Sequence, residues 1–302
     1  MAFGRGKVIL FGEHGVVHGR PALAAGLARG VTATAIAADA DALVVEAWDL
    51  EVSPSPEAEQ PLGRALWEVL RRFDGERAPL RVTAEVALPA GAGLGCSAAL
   101  GVAVIGAVDE ALGAKRSPEA LAEACLVWER VFHGNPSGVD SAMAAMGGVA
   151  VFRRGETLVP IVPRTPIRLV IADSGETSST MSMVAEVARQ HERAPARIDA
   201  VFDGMAAIVQ NGRLAVETGD LRSLGQLMTL NQTLLNTLMI STAKLEEMCS
   251  AAREAGALGA KLTGAGGGGC MIALVDTVAR GEAVCAALSP LCQSAFVAEA
   301  GA

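Results

Sequence analysis

A loop with glycine at every second position, from Gly91 to Gly95, is the strongest chemical feature of the sequence. The alternating residues 80–86 before it predict a strand, and the small and aliphatic residues from Ala98 to Leu112 predict a buried helix. Glycines let backbone N–H groups turn towards a ligand, and a helix N-terminus adds unpaired donors and a positive dipole end. The stretch Pro89–Ala99 therefore predicts a site for a phosphate group.

A plain tight turn would also explain these glycines. Two well-known phosphate loops are excluded, because no Lys-Ser or Lys-Thr pair follows and the spacing is not G-x-G-x-x-G. Ser97 lies at the predicted helix start. Its hydroxyl could cap that helix or bind a Mg²⁺ ion carried by a nucleotide.

Two carboxylates, Glu129 and Asp140, lie on either side of a predicted turn. A helix that starts at Ser117 ends near Gly134, and a second helix, rich in Ala and Met, follows the turn. This order lets both carboxylates point towards one cavity, although surface exposure is the usual fate of such residues. The small and apolar neighbours of Asp140 favour the cavity.

Lys7, Glu13 and His14 lie at the two ends of a short predicted strand. They could be ordinary residues of a solvated strand end, but the glycines on both sides of Glu13 and His14 indicate close approach by backbone or ligand. The late segment Lys261–Cys270 places five glycines between two predicted strands, more than a hairpin needs. It predicts close backbone approach to a ligand or to the first glycine loop.

Composition limits the class of protein. At 302 residues two domains are expected, and a proline cluster suggests residues 1–165 and 166–302. A net charge of −8 and the absence of Tyr argue against nucleic acid as the main partner, and no apolar segment is long enough to span a membrane. Six scattered cysteines without a C-x-x-C pair predict neither a zinc site nor a disulfide framework, so a cytoplasmic location is expected.

Three separated motifs, Lys7–Gly19, Pro89–Ala99 and Lys261–Cys270, resemble those of the GHMP family of small-molecule kinases. Together with the segment Glu129–Asp140, they are most similar to the family members that phosphorylate mevalonate. The resemblance extends from the first strand to near the C-terminus. It implies a two-domain α+β fold with a ferredoxin-like C-terminal half, ATP and Mg²⁺ as cofactors, mevalonate as substrate and a homodimer.

The resemblance also implies roles on the nucleotide side. Ser97 and Glu129 would hold Mg²⁺. Cys96 stands where the family usually has a serine, and Leu100 where animal enzymes tend to have a tyrosine. The residues expected to surround the ATP phosphates are Gly91, Ala92, Gly93, Leu94, Gly95, Cys96 and Ser97.

On the substrate side, the resemblance implies that Asp140 is the catalytic carboxylate and also contacts the substrate. Lys7 would be the second catalytic residue, beside Asp140 and the transferring phosphoryl group. Glu13 and His14 would bind mevalonate, and the late glycine loop would close over the active centre.

Three alternatives remain open at this stage. One is a related kinase acting on phosphomevalonate, a sugar or homoserine, and another is a mevalonate-pathway decarboxylase or 3-kinase of the same superfamily. The third is a non-catalytic nucleotide-binding protein, which is disfavoured because Lys7, Glu129 and Asp140 are all present. The segments 12–14 and 133–140 favour mevalonate.

Overall fold

A computed structural model describes residues 1–73, 77–89, 91–134, 136–177 and 179–301. Three predicted features touch the gaps. Ala90 of the first glycine loop, Asn135 of the turn before Asp140 and Ala302 of the predicted second domain lie outside the described residues.

Strands and helices alternate irregularly along the chain. The strands are β1 (Ala2–Phe11), β2 (Ala22–Ala37), β3 (Ala42–Val45), β4 (Leu50–Val52), β5 (Leu80–Val86), β6 (Val149–Phe152), β7 (Val159–Ile161), β8 (Ile167–Asp173), β9 (Gly259–Leu262), β10 (Cys270–Val275) and β11 (Ser294–Ala300). The helices are α1 (Pro61–Leu70), α2 (Cys96–Ala111), α3 (Pro118–His133), α4 (Val139–Met146), α5 (Thr180–Arg193), α6 (Pro195–Thr218), α7 (Leu221–Thr237), α8 (Ala243–Glu254) and α9 (Val278–Leu288). Short 3-10 turns cover Gly15–His18 and Glu46–Trp48.

The elements that flank the first glycine loop occur where the sequence predicts them. The predicted strand is β5, and the predicted buried helix is α2, which begins two residues earlier. The cap of α3 is also confirmed, because the Ser117 hydroxyl accepts a hydrogen bond from the Ala120 N–H at 3.3 Å. Local sequence thus suffices for the elements that carry this loop.

Local sequence predicts a strand over Val31–Ala38, whereas β2 begins earlier, at Ala22. Its first half is rich in alanine, a residue with low strand propensity. Tertiary pairing specifies it instead, since Ala24 lies opposite Ala150 of β6 and Leu27 lies opposite Ala300 of β11. A pairing across so many residues is not visible in local sequence.

The chain forms two compact units. The first contains Met1–Gly6, Arg29–Ala90 and Gly95–Gly147, and the second contains Lys7–Ala28, Gly91–Leu94 and Gly148–Ala302. Strands β1 and β2 therefore contribute residues to both units. The division after residue 165 remains a prediction.

The first unit has strands in the order β4–β3–β5–β2. β3 runs parallel to β5, with Val44 opposite Thr83, and β2 runs antiparallel to β5. Every residue of α2 from Ala98 to Asp109 is buried, as expected for a helix that is apolar on all sides. Gly101 permits this burial, because a Cβ there would lie 2.7 Å from the Trp128 ring.

The second unit contains an antiparallel sheet in the order β11–β8–β10–β9. Numbered in chain order, these strands lie in the spatial order 4-1-3-2; α5 to α8 connect the first strand to the second, and α9 connects the third to the fourth. This is the ferredoxin-like arrangement. Its core includes Phe202, Met205, Leu235, Met248 and Met271, all fully buried. The expected ferredoxin-like half is confirmed.

Within the described ranges, none of the helices is both long and apolar enough to span a lipid bilayer.

Candidate active site

The first glycine loop has left-handed backbone at every second residue. Gly91, Gly93 and Gly95 have φ values of 71°, 81° and 72°, a region that L side chains rarely adopt. Ala92 and Leu94 between them are buried. Backbone that alternates between left-handed and other conformations can turn successive N–H groups towards one anion. The loop thus has the conformation that a phosphate site requires.

The tip of this loop, Gly91–Leu94, belongs to the second unit and is held there by two backbone segments. The Lys7 N–H donates to the Leu94 carbonyl at 2.9 Å, and the Cys270 N–H donates to the Ala92 carbonyl at 3.1 Å. The Lys7 ammonium also lies 3.3 Å from the Gly93 carbonyl oxygen. Lys7 is only 3% exposed, so its positive charge lies buried beside the loop.

The late glycine loop approaches the first one closely. A Cβ on Gly93 would lie 3.2 Å from the Thr263 carbonyl oxygen, and one on Gly269 would lie 3.1 Å from the Ala92 carbonyl oxygen. Gly264, Gly266, Gly267, Gly268 and Gly269 all have positive φ. The predicted approach to the first glycine loop is therefore confirmed.

In the first unit, Ser97 lies in the first turn of α2. Its hydroxyl oxygen is buried, and the described residues give it no hydrogen-bond partner, so it does not cap the helix. The Ser97 carbonyl accepts from the Trp128 indole N–H at 3.0 Å, which ties the start of α2 to α3. A buried hydroxyl without a partner among the described residues is suited to an external ligand.

Glu129 follows Trp128 on α3 and is 1% exposed. The Ser141 hydroxyl of α4 donates to a Glu129 carboxylate oxygen at 2.6 Å. Ser141 was not predicted as a site residue, because a lone serine in an Ala- and Met-rich helix carries no signal in the sequence. Its contact helps to fix the position of the Glu129 carboxylate.

Asp140 lies in the first turn of α4 and is half-buried. Gly138, with φ 88°, caps this helix, so Asp140 lies close to the positive end of its dipole. The Cys125 thiol faces both carboxylates: burial raises its pKa first, and the charges of Glu129 and Asp140 raise it further. The first unit thus brings Ser97, Glu129 and Asp140 to a set of packed helices.

His14 adopts an unusual backbone conformation in the second unit. Its φ is 59°, and it leads into the 3-10 turn Gly15–His18. Its Nε2 lies 2.8 Å from the Ala265 carbonyl oxygen in the late glycine loop. Burial lowers the pKa of His14 to about 4, so the ring is neutral at physiological pH.

Glu13 is fully buried and forms an ion pair with Lys261 of β9. The Asn231 side-chain amide of α7 donates to the other Glu13 oxygen at 3.1 Å. Neither Lys261 nor Asn231 was predicted as a site residue. A single lysine inside the apolar strand β9 is the sequence signal that could have identified the first of them.

Within the described residues, the structure contains no group of three or more His, Cys, Asp or Glu side chains that could hold a metal ion. All six cysteines are free thiols. The predicted site residues therefore fall into two groups. Ser97, Glu129 and Asp140 lie in the first unit with Gly95 and Cys96, whereas Lys7, Glu13, His14 and Gly91–Leu94 lie in the second.

Comparison with protein families identifies the class. Residues 61–148 match the family model described as the GHMP kinases N-terminal domain, and residues 213–291 match the model described as GHMP kinases C-terminal. These matches include Ser97, Glu129 and Asp140 in the first case and α7 and α8 in the second. The class is that of the GHMP kinases.

Relatives within this class are more specific. The chain is 37% identical to the mevalonate kinase of Pyrococcus horikoshii, over 89% of this chain and 86% of that protein. It is also 37% identical to the mevalonate kinase of Thermococcus onnurineus, with the same coverage. The crystal structure of L. major mevalonate kinase in complex with R-mevalonate has a TM-score of 0.89 and 29% identity, covering 99% of this chain and 94% of that one. The chain belongs to the mevalonate kinase family.

Proposed function

We propose that this chain transfers the γ-phosphoryl group of ATP to the primary hydroxyl of mevalonate, forming 5-phosphomevalonate and ADP. The observation that carries this proposal is the match to mevalonate kinases at 33–37% identity over about nine-tenths of the chain. Phosphoryl transfer to an alcohol needs charge stabilisation and in-line positioning of the hydroxyl. The candidate residues offer groups for both tasks.

On the nucleotide side, Gly91 to Ser97 receive the ATP phosphates. Ser97 and Glu129 would hold Mg²⁺, which would supply positive charge to neutralise the ATP phosphates. The donor set fits this ion, because Mg²⁺ in kinase sites takes one or two protein oxygens besides phosphates and water. Two observations support this assignment: the Ser97 hydroxyl has no partner in the described parts of the chain, and the Glu129 carboxylate is buried.

On the acceptor side, Asp140 orients the primary hydroxyl and takes its proton as the phosphoryl group transfers. Assistance of this kind typically contributes about 10²–10⁴-fold to the rate. The Lys7 ammonium offsets negative charge on the transferring group. Glu13 and His14 serve the mevalonate side.

A substrate panel tests the function. Mevalonate, phosphomevalonate, galactose and homoserine are offered with Mg²⁺ and ATP, and ADP release is followed by a coupled assay. We expect turnover with mevalonate, and a product carrying phosphate on the primary hydroxyl by ³¹P and ¹³C NMR. Phosphate on the tertiary hydroxyl, loss of CO₂, or preference for another acceptor would overturn the proposal.

Two substitutions test the division of roles. Asp140→Ala is expected to lower kcat by about 10²–10⁴-fold with ATP affinity retained, whereas parallel loss of ATP affinity contradicts the acceptor-side role. Glu129→Gln is expected to raise the Mg²⁺ concentration needed for half-maximal activity. An unchanged Mg²⁺ titration would contradict a ligand role for Glu129.

We also propose that the chain works in the cytoplasm as a homodimer. The free thiols agree with a reducing compartment, and the dimer follows from the family resemblance. Light scattering coupled to size-exclusion chromatography tests the assembly, and a mass near the 30.8 kDa of one chain would contradict it.

A further inference from the structure

A charged network lies buried in the second unit, behind the turn that carries His14. The Lys261 ammonium donates to the Glu13 carboxylate and to the Ile9 and Leu262 carbonyls. Asn231 donates to the second Glu13 oxygen. Lys261, Glu13 and Asn231 are each 0% exposed. Within the described structure, all three donors of the ammonium and both oxygens of the carboxylate are therefore engaged.

Stability alone gives no reason to keep such a pair. Removing two charges from water is expensive, and apolar residues of similar volume are often equally good or better at such positions. Burial lowers the pKa of Lys261, and the adjacent Glu13 charge opposes that shift. Because Glu13 contacts protein groups on both oxygens, its effect on a substrate is exerted through the residues it holds.

Side-chain contacts connect β1 to β9 and to Thr263, the residue after β9. The Thr263 hydroxyl accepts from the Ile9 N–H at 3.0 Å and donates to the Ile9 carbonyl at 3.2 Å. Lys261 reaches the same Ile9 carbonyl at 3.5 Å. Side chains from β9 and the residue after it thus fix the strand that leads into Glu13 and His14.

His14 is held from the opposite direction by the late glycine loop. A carbonyl oxygen can only accept, so the Nε2 of the neutral His14 ring carries the proton donated to Ala265. The other nitrogen, Nδ1, is then an acceptor. A residue at φ 59° keeps this conformation only where its surroundings determine it. The Glu13 anchor and the Ala265 contact together provide that determination.

We propose that Lys261 and Asn231 are positioning residues for substrate binding: by clamping Glu13 they fix the ring orientation and tautomer of His14 towards the acceptor substrate. The choice of mevalonate as the ligand rests on the proposed function. The positioning of the His14 ring does not.

The kinetic test uses Asn231→Ala, Lys261→Met and the double variant Lys261→Met/Glu13→Gln, which removes both charges together. In all three variants we expect the KM for mevalonate to rise about tenfold, because a positioning contribution of about one hydrogen bond is lost. The KM for ATP should stay within about twofold of the wild-type value. Asp109→Asn is the matched control, because Asp109 is a buried carboxylate paired with Arg116 in the first unit. A wild-type KM in the double variant, or the same KM change in the control, would overturn the proposal.

A spectroscopic test needs no substrate. In ¹⁵N-histidine spectra at pH 7, the His14 signal, assigned from its loss in His14→Gln, is expected to show the proton on Nε2 in the wild type. Asn231→Ala and the double variant are expected to show a mixture of tautomers, and Asp109→Asn the wild-type pattern. An unchanged His14 signal in the network variants refutes the clamp. A wild type that shows the expected His14 signal but does not bind mevalonate refutes the proposed function instead.

Discussion

The hydrogen bond from Ser141 to Glu129 gives a prediction whose size follows from its geometry. Ser141→Ala removes a donor 2.6 Å from a carboxylate, and both residues are 1% exposed. Hydrogen bonds to charged groups contribute about 1.5–3 kcal/mol, and short buried ones lie in the upper part of that range. We therefore expect Ser141→Ala to lower the free energy of unfolding of the first unit by about 2–3 kcal/mol.

Tryptophan fluorescence is a selective assay for this change. Trp48, Trp67 and Trp128 are the only tryptophans of the chain, and all three belong to the first unit. Urea unfolding followed by their emission, without Mg²⁺ or nucleotide, therefore reports the unit that contains Ser141 and Glu129. Without ligands, the difference in the free energy of unfolding contains no contribution from ligand binding.

Ser137→Ala is the control. The Ser137 hydroxyl is half-buried and accepts a long 3.4 Å hydrogen bond from the Val139 N–H, so its removal should cost no more than about 0.5 kcal/mol. If Ser141→Ala also changes the free energy of unfolding by less than about 0.5 kcal/mol, the Glu129 carboxylate does not depend on this donor and the reasoning fails.

Three further predictions follow from burial and backbone geometry. Because folding lowers the pKa of His14 from 6.5 to about 4, the contribution of the neutral ring to the free energy of unfolding is complete above pH 6.5. Up to about 3 kcal/mol of it is lost as the pH falls to 4. His14→Gln should therefore weaken the pH dependence of urea unfolding between pH 6.5 and 4, and an unchanged pH dependence would contradict this. In native protein at pH 7.5, Ellman's reagent should react with the half-buried Cys285 and Cys292 and leave the four buried thiols intact until unfolding; rapid loss of more than two thiols is the contrary result. Gly93 has φ 81°, and a Cβ there would lie 3.2 Å from the Thr263 carbonyl oxygen, so Gly93→Ala should raise the KM for ATP several-fold. Gly113 has φ 71° and open space around it, so Gly113→Ala should leave this KM unchanged. Equal effects of the two substitutions would count against the phosphate-loop assignment.

Much of the fold follows from local sequence. The alternation in β5, the proline-containing start of α3 and the glycine loop between β5 and α2 specify their elements by short-range rules. The close approach of the two glycine loops was also predictable, because five glycines exceed the need of a hairpin. The strand, the helix starts and the glycine content of each loop depend on residues that are adjacent in the chain.

The buried network was not predictable in the same way. Glu13 lies 248 residues from Lys261 and 218 residues from Asn231, so their contacts depend on the pairing of whole elements. Ser141 was missed for a related reason, since its role depends on α3 and α4 packing together. Local patterns identify where a charged side chain starts, but the tertiary fold decides which partner it meets.

The division of β1 and β2 between the two units has a consequence for synthesis on the ribosome. All of the first unit lies within residues 1–147, so its residues are synthesised before most of the second unit. The second unit also needs residues 7–28, yet Leu27 of β2 has its partner, Ala300, in the much later strand β11. Ala22–Ala25 can pair with β6 once residue 152 has been synthesised, whereas Leu27 lacks its β11 partner until residue 300 has been added. The time needed to synthesise the residues between Leu27 and Ala300, rather than local strand propensity, sets how long this part of β2 stays exposed to other chains.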